Sequence, residues 1–352
     1  MHHELSERER RVLAAVIQSY VATAEPAGSR TIARKFGLNV SPATIRNTMS
    51  DLEEKGFLFH PHTSAGRVPT HKAYRVYVDS LIEVPALAPA DADRLNEHLA
   101  CAADGGRLDP FEAILRRAAQ SLGVLTQELG VAVGPALDAA AVRQIDLVRL
   151  ASDRLLVVIT LDRVPVRTVF VDVPGEIADE AVREVARVLN ERLAGRTLAE
   201  LRGTLAERLR DVPQGADAVG LLNIFVSGAG PLIENDVGLE APALVMGQPS
   251  LLADQPEFAS GPEMRRLLEL TETREDLARL LARRPGAAPG VSITIGSEHG
   301  DPRLAPFTVV TAEYQAAGLS GVIGVIGPTR MPYEKVIALV SHTSRLVSDL
   351  LH

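Results

Sequence analysis

Apolar positions in the first 82 residues recur at helical spacing in four places, and two of these runs end at a glycine that stops a helix. Leu13, Val16, Ile17 and Tyr20 share one face of a helix over residues 5–23, and Ser6 with Glu9 three residues on matches a capping box. A second helix is predicted over Ser29–Phe36, with Ile32 and Ala33 inward and Gly37 as its stop. Ser41-Pro42 then offers an N-cap residue followed by proline at the first helical position. The helix it opens runs to Lys55 and ends at Gly56. Residues 57–60 and 67–69 read as short strands around a turn with Gly66 at its tip, and 71–82 as a helix carrying Tyr74, Tyr77, Val78 and Leu81.

Beyond the uncharged Pro/Ala-rich stretch Val84–Ala90, the pattern changes. Helices are expected near 91–103 and 109–127. Four strand-like segments follow in residues 129–173 (GVAVG, QIDLVRL, LLVVITL and VPVRTVFV), with turns at Ser152-Asp153-Arg154 and Asp162-Arg163. Glu176–Leu193 is an amphipathic helix, and 197–284 is leucine-rich and helical (Leu198, Leu201, Leu205, Leu277, Leu280, Leu281). Strands return at 291–296, 307–311 and 321–327. A last helix after Pro332 carries Tyr333, Val336, Ile337, Val340, Val347 and Leu350 along one face. Strands, helices and strands again imply one α+β domain with a helical insertion. The fold class expected is therefore multidomain α+β with a small helical domain at the N-terminus.

Length adds that 352 residues exceed one compact core. A net charge of −8 taken whole argues against a nucleic-acid partner, but it is unevenly placed. Residues 1–82 hold 11 Lys+Arg against 8 Asp+Glu, a balance of +3, and the remainder 26 against 37, a balance of −11. Screening confines attraction to about 8 Å, so the local balance is the relevant one. The charged start MHHELSERER has no signal-peptide core, and the longest uncharged runs, Ala218–Ile233 and Tyr314–Thr329, are too short to span a membrane. One cysteine, Cys101, excludes an internal disulfide and fits a reducing cytoplasm, the expected location.

The chemistry concentrates in residues 41–67. With Ile45 at the centre of a helix face, Met49 and Leu52 lie within about 40° of it. Ala43, Asn47, Ser50 and Glu54 then point outward, flanked by Thr44 and Arg46. A small, polar outer half suits a helix lying against base edges in the major groove. Asn47 can pair with adenine, Arg46 with guanine or phosphate, and Ser41 and Thr44 can reach phosphate or base edges. The first-turn N–H groups add a phosphate site. Such a helix also fits the surface of any small bundle. The hairpin after it favours DNA: His60, His62, Thr63, Ser64 and Arg67 around a glycine are what a wing touching phosphates or the minor groove needs. His60 and His62 as a metal pair lack a third ligand nearby in sequence.

The stretch ATIRNTMSDLEEKGFLFHPHTSAGRVPTHKAYRVYVD resembles the N-terminal domain of the HrcA family of heat-inducible transcription repressors, through ATIRN and HPHTSAGRVPT. The resemblance extends more diffusely over the chain. It implies a winged helix over 1–83 and a GAF-like domain in two parts, 91–195 and 286–352, around a helical dimerisation domain inserted at 196–285. It further implies repression of chaperonin and DnaK-type chaperone operons by a homodimer on double-stranded DNA carrying an inverted repeat, the CIRCE element. The chaperonin is the implied modulator, and heat the releasing signal.

Other constellations are weaker. Gly321, Gly324 and Gly327 resemble part of a phosphate loop, yet GVIGVIG reads as a strand with no helix opening after it. Glu298, His299 and Asp301 form a possible acid/base cluster, but they sit in a Gly/Pro-bounded turn between strands. Cys101 lies in an alanine-rich helix, where a small packing residue is the default. No nucleophile, metal or nucleotide motif is present, so neither enzyme nor cofactor is expected. A GAF-like fold can house a small ligand, but no polar cluster in 129–173 or 291–327 marks a pocket.

Overall fold

The structure, a computed structural model, describes residues 5–61, 66–100, 110–135, 140–162, 167–173, 178–201, 204–209, 216–228, 244–282, 290–316 and 319–351. The first helices form where the apolar spacing and the caps place them. α1 (Glu7–Thr23) starts at the Ser6/Glu9 capping box, and α2 (Ser29–Phe36) ends at Gly37, whose φ is +54°. α3 (Pro42–Glu54) begins with Ser41 as N-cap. The wing strands are β1 (Leu58–Phe59) and β2 (Val68–Pro69), paired antiparallel, and α4 (His71–Val76) passes into a π-helical turn, Tyr77–Leu81.

After an extended link, α5 (Pro89–Ala100) and α6 (Pro110–Thr126) lead into β3 (Leu129–Val133). β3 is the second strand of a five-stranded sheet whose other members come from the far end of the chain: β7 (Leu244–Met246), β8 (Val291–Ile295), β9 (Phe307–Ala316) and β10 (Leu319–Pro328). The order is β7-β3-β10-β9-β8, with every neighbour antiparallel. Both faces are covered. Ala132, Val310, Ala312, Tyr314, Ile323 and Val325 face α5, α6 and the C-terminal helix Tyr333–Leu350. Leu129, Val131, Val133, Val309, Val322 and Ile326 face the helices of residues 250–282 through Leu252, Leu267, Leu270, Leu277 and Leu281. Two-sided burial explains why β3 and β10 read as unbroken apolar runs.

The remaining strands form a sheet of their own, β4 (Val142–Ala151), β5 (Arg154–Leu161) and β6 (Arg167–Asp172), in sequence order. α7 (Asp179–Leu193) and the helices of residues 198–228 pack on one face of it, burying Leu198, Leu201, Leu205, Leu221 and Phe225. This differs from the sequence reading in several respects. The segments of residues 129–173 do not share a sheet, because β3 pairs with β10 and β7 while β4, β5 and β6 pair with their neighbours in sequence. The interruption of the five-stranded sheet therefore begins near residue 140, not 196, and it carries strands as well as helices. Residues 250–282 belong instead to the larger sheet's second face. The leucines of 197–284, expected to supply apolar surface to a partner, are mostly buried within the chain, and Leu350, expected inward, is exposed.

α6 crosses the sheet at Gly130, where a Cβ would stand 1.8 Å from the Ala119 carbonyl oxygen. Beside it Glu128 is only 2% exposed, its carboxylate accepting a hydrogen bond from Gln255 Nε2 at 3.0 Å. Burial pushes its pKa up to about 8, against the weaker lowering effect of that bond. The folded state thus holds a proton there that the unfolded chain releases at ordinary carboxylate pH. Stability from this site is full below about pH 4.5 and is lost as pH rises toward 8. Glu128→Gln should flatten this decline, being more stable than wild type by on the order of 1–3 kcal/mol at pH 8 and no more stable at pH 5. Urea unfolding at the two pH values checks it. Parallel curves for the two proteins would contradict a buried neutral carboxyl.

Candidate nucleic-acid interface

α3 is positioned by what it buries. Ile45, Met49 and Leu52 pack with Val12, Leu13, Val16, Ile17 and Ile32 of α1 and α2, and Thr48 joins them by donating its hydroxyl to the Thr44 carbonyl at 3.1 Å. The opposite face is left to solvent: Ser41, Ala43, Arg46 and Asn47 are exposed, and Thr44 and Ser50 half-buried. These six predicted residues therefore share the accessible side of one helix, all but Ser50 at its N-cap or in its first half. Two of them already have work within it. The Ser41 hydroxyl accepts the Thr44 N–H at 3.1 Å and lies 2.9 Å from the Thr44 hydroxyl, closing the first turn.

The wing is anchored at its base. Leu58 is buried and Phe59 exposed, as alternation in a two-stranded ribbon requires. A third backbone segment joins it: Ala27 and Arg67 exchange N–H···O bonds of 2.9 and 3.0 Å, tying the wing to the turn before α2. Gly66 is part of this base. A Cβ there would meet the Ala27 carbonyl oxygen at 2.4 Å and the Pro26 oxygen at 2.6 Å, so its glycine serves a close backbone approach. His60 is exposed at the end of β1. The predicted contacts His62, Thr63 and Ser64 lie outside the described residues.

Arg67 occupies an unexpected position. Its guanidinium pairs with Glu53 of α3 at 2.7 Å and its side chain is 15% exposed. It joins the wing to the recognition helix, a role that no sequence spacing displayed. Lys55 and Lys72 are engaged too, Lys55 with Glu9 at 2.5 Å and Lys72 with the Lys55 carbonyl and the face of the Phe57 ring. Sequence reading passed over the exposed Arg30, Arg34 and Lys35 of α2, the helix packed beside α3. Their signal was the local basic balance together with the spacing of 30 and 34, one turn apart.

An exposed polar helix face with an adjoining wing is DNA-binding geometry. Residues 4–80 match the family described as "Winged helix-turn-helix transcription repressor, HrcA DNA-binding", and residues 112–337 match "HrcA protein C terminal domain". The chain belongs to the HrcA family. The "Heat-inducible transcription repressor HrcA" of Chlorobium phaeobacteroides (strain BS1) is 38% identical over 359 residues, covering 100% of this chain and 99% of that protein. The HrcA of Geobacter sulfurreducens is also 38% identical, over 352 residues, with 99% of this chain and 98% of that one covered. A crystal structure of a hypothetical protein superposes with a TM-score of 0.60 over 99% of both chains at 22% identity, which shows the shared fold. As an HrcA, the protein is a heat-inducible transcription repressor with a DNA-binding winged helix, a regulator and not an enzyme. Among the described residues no helix is long and apolar enough to cross a membrane, and no group of three or more His, Cys, Asp or Glu residues is placed to hold a metal ion.

Proposed function

We propose that the protein represses chaperonin and DnaK-type chaperone operons as a homodimer bound to an inverted-repeat operator in double-stranded DNA. The observation that carries the reading is the exposed half of α3, small and polar, framed by the wing and the basic α2. Asn47 and Arg46 read base edges, Ala43 meets a thymine methyl, and Ser41, Thr44 and Ser50 contact phosphate or the edges beside them. The wing adds His60, His62, Thr63 and Ser64. Arg67 joins them at a phosphate by exchanging its bond to Glu53. Arg30, Arg34 and Lys35 neutralise the strand that α2 crosses.

A palindrome calls for two copies with matching symmetry. The surface proposed to join them is the uncovered face of the β4–β5–β6 sheet. There Val148, Leu156 and Phe170 stand opposite one another in register, with Val148 44%, Leu150 51% and Phe170 66% exposed. Repression is steric, the dimer occluding polymerase in the cytoplasm, on the nucleoid. Heat shifts the fold toward an inactive form, and the chaperonin as partner returns it to the active one.

Three measurements bear on this. Asn47→Ala should cost about 1–3 kcal/mol in operator binding and relax preference at one base pair, as read by selection from random DNA. Recovery of sequences without an inverted repeat, or without relation to chaperone operons, would remove the operator assignment. Phe170→Glu should convert the protein to a monomer in sedimentation and weaken binding to the full palindrome, whereas a dimer of unchanged mass would place the interface elsewhere. Added chaperonin should raise the operator-binding fraction recovered after heating and cooling. Indifference to it would end the proposed coupling.

A further inference from the structure

The winged helix does not hang from its link. It is seated on the five-stranded domain along a seam that begins at α4 and its π-helical turn. At one end Arg75 forks onto Glu298, with Nε 2.8 Å from Oε1, and donates a further hydrogen bond to the Ile293 carbonyl at 2.7 Å. In the middle the Tyr74 and Tyr333 rings meet with centroids 5.8 Å apart, and the Tyr77 hydroxyl donates to Glu334 while accepting from Gln18. At the other end Arg330 reaches back under α1. Its guanidinium binds Glu257 through two nitrogens, at 2.5 and 3.0 Å, and donates to the Val21 carbonyl at 2.9 Å. Arg330 is 15% exposed, so this pair is poorly screened. The apolar core of α1–α4 is continuous across the seam with that of α5, α6 and the C-terminal helix.

Such a seat has a mechanical consequence. The link at 82–88 has neither helix nor strand. Seven extended residues span up to about 25 Å, so a winged helix held by the link alone would sweep a distance comparable to a helical turn of DNA, about 34 Å. A recognition helix pinned at both ends of the seam cannot do so. Both arginines lie away from the exposed face of α3: Arg75 of the winged helix binds Glu298 of the sheet domain, and Arg330 of the sheet domain, held there by Glu257, donates to the Val21 carbonyl of α1.

We propose that Arg75 and Arg330 are positioning residues for DNA binding. They clamp each winged helix to its sheet domain and thereby fix the separation of the two recognition helices to one half-site spacing. The inference rests on the dimeric repressor reading and adds to it where spacing specificity comes from. Freed from the clamp, each winged helix still recognises a half-site, but the second binding event loses its preset effective concentration.

The test compares wild type, Arg75→Gln, Arg330→Met and the double variant, with thermal unfolding of each recorded alongside. The DNA fragments carry a single half-site, the full palindrome, or palindromes with the half-sites moved apart by one to three base pairs. Single half-site affinity should stay within about twofold of wild type. Palindrome affinity should fall about tenfold or more, and the preference for one spacing should flatten. Arg75→Gln, which keeps the stem of a half-exposed side chain, serves where Arg330→Met unfolds. Equal losses on half-site and palindrome, or an unchanged spacing preference in the variants, would overturn the proposal. Specific wild-type binding indifferent to spacing would overturn it too while leaving the repressor reading intact. Absence of any specific binding would end both.

Discussion

β3 and β10 lie side by side in register from Leu129↔Ile326 to Val133↔Val322, although nearly two hundred residues separate them in sequence. That antiparallel pairing holds the chain closed, and the other units are placed by it. β9 and β8 extend the sheet on one side and β7 on the other, so the strand that follows α6 becomes the interior of a two-faced core. The pairing tolerates no side chain at two crossings. At Gly130 the α6 backbone comes down on the sheet, and at Gly324 a Cβ would stand 2.1 Å from the Val310 carbonyl oxygen. The described residues between β3 and β7 therefore lie outside this sheet, and from β4 to residue 228 they build a core of their own around β4–β6 and α7.

The same sheet supports the DNA-binding end. One of its faces packs against α5, α6 and the C-terminal helix, and these in turn carry the winged helix, so a single apolar cluster runs from Leu13 to Val325. Polar groups complete the attachment at its rim. Glu298 and Glu334 of the sheet domain accept from Arg75 and Tyr77 of the winged helix, while Arg330, held by Glu257 within the sheet domain, donates to the Val21 carbonyl. Glu298 illustrates the gain from tertiary context. In sequence it belongs to a turn with His299 and Asp301 that suggests a solvated hairpin. In space its carboxylate also caps the Ile295 N–H and anchors a second domain.

Within the interface itself the division of labour follows from burial. Side chains that face α1 and α2 fix α3, those facing outward stay accessible to solvent, and one basic residue of the wing holds the two parts together. Arg67 shows the limit of reading a cation beside a glycine as a phosphate contact, since a carboxylate one helix away competes for it. The extra basic surface comes from α2, whose charges have no such partner assigned in the spacing of the sequence.

Much of the molecule was legible in the chain alone. Helix ends at Ser6, Gly37, Ser41 and Gly56, the inward face of α3, the wing strands and the family motifs are all local properties, set by capping chemistry, dihedral preference and 3.6-residue periodicity. The strands of the sheet domains were also recognisable as strands. Which strands pair was not, because apolar alternation is the same whether a partner lies ten residues away or two hundred, and only three-dimensional packing decides between them. Nor were the partners of the arginines that join distant segments: Glu53, Glu257 and Glu298 become ligands of Arg67, Arg330 and Arg75 only once the fold has brought them within hydrogen-bonding reach. The sequence by itself determined a recognition helix with its wing, and tertiary structure decided what holds that pair in place.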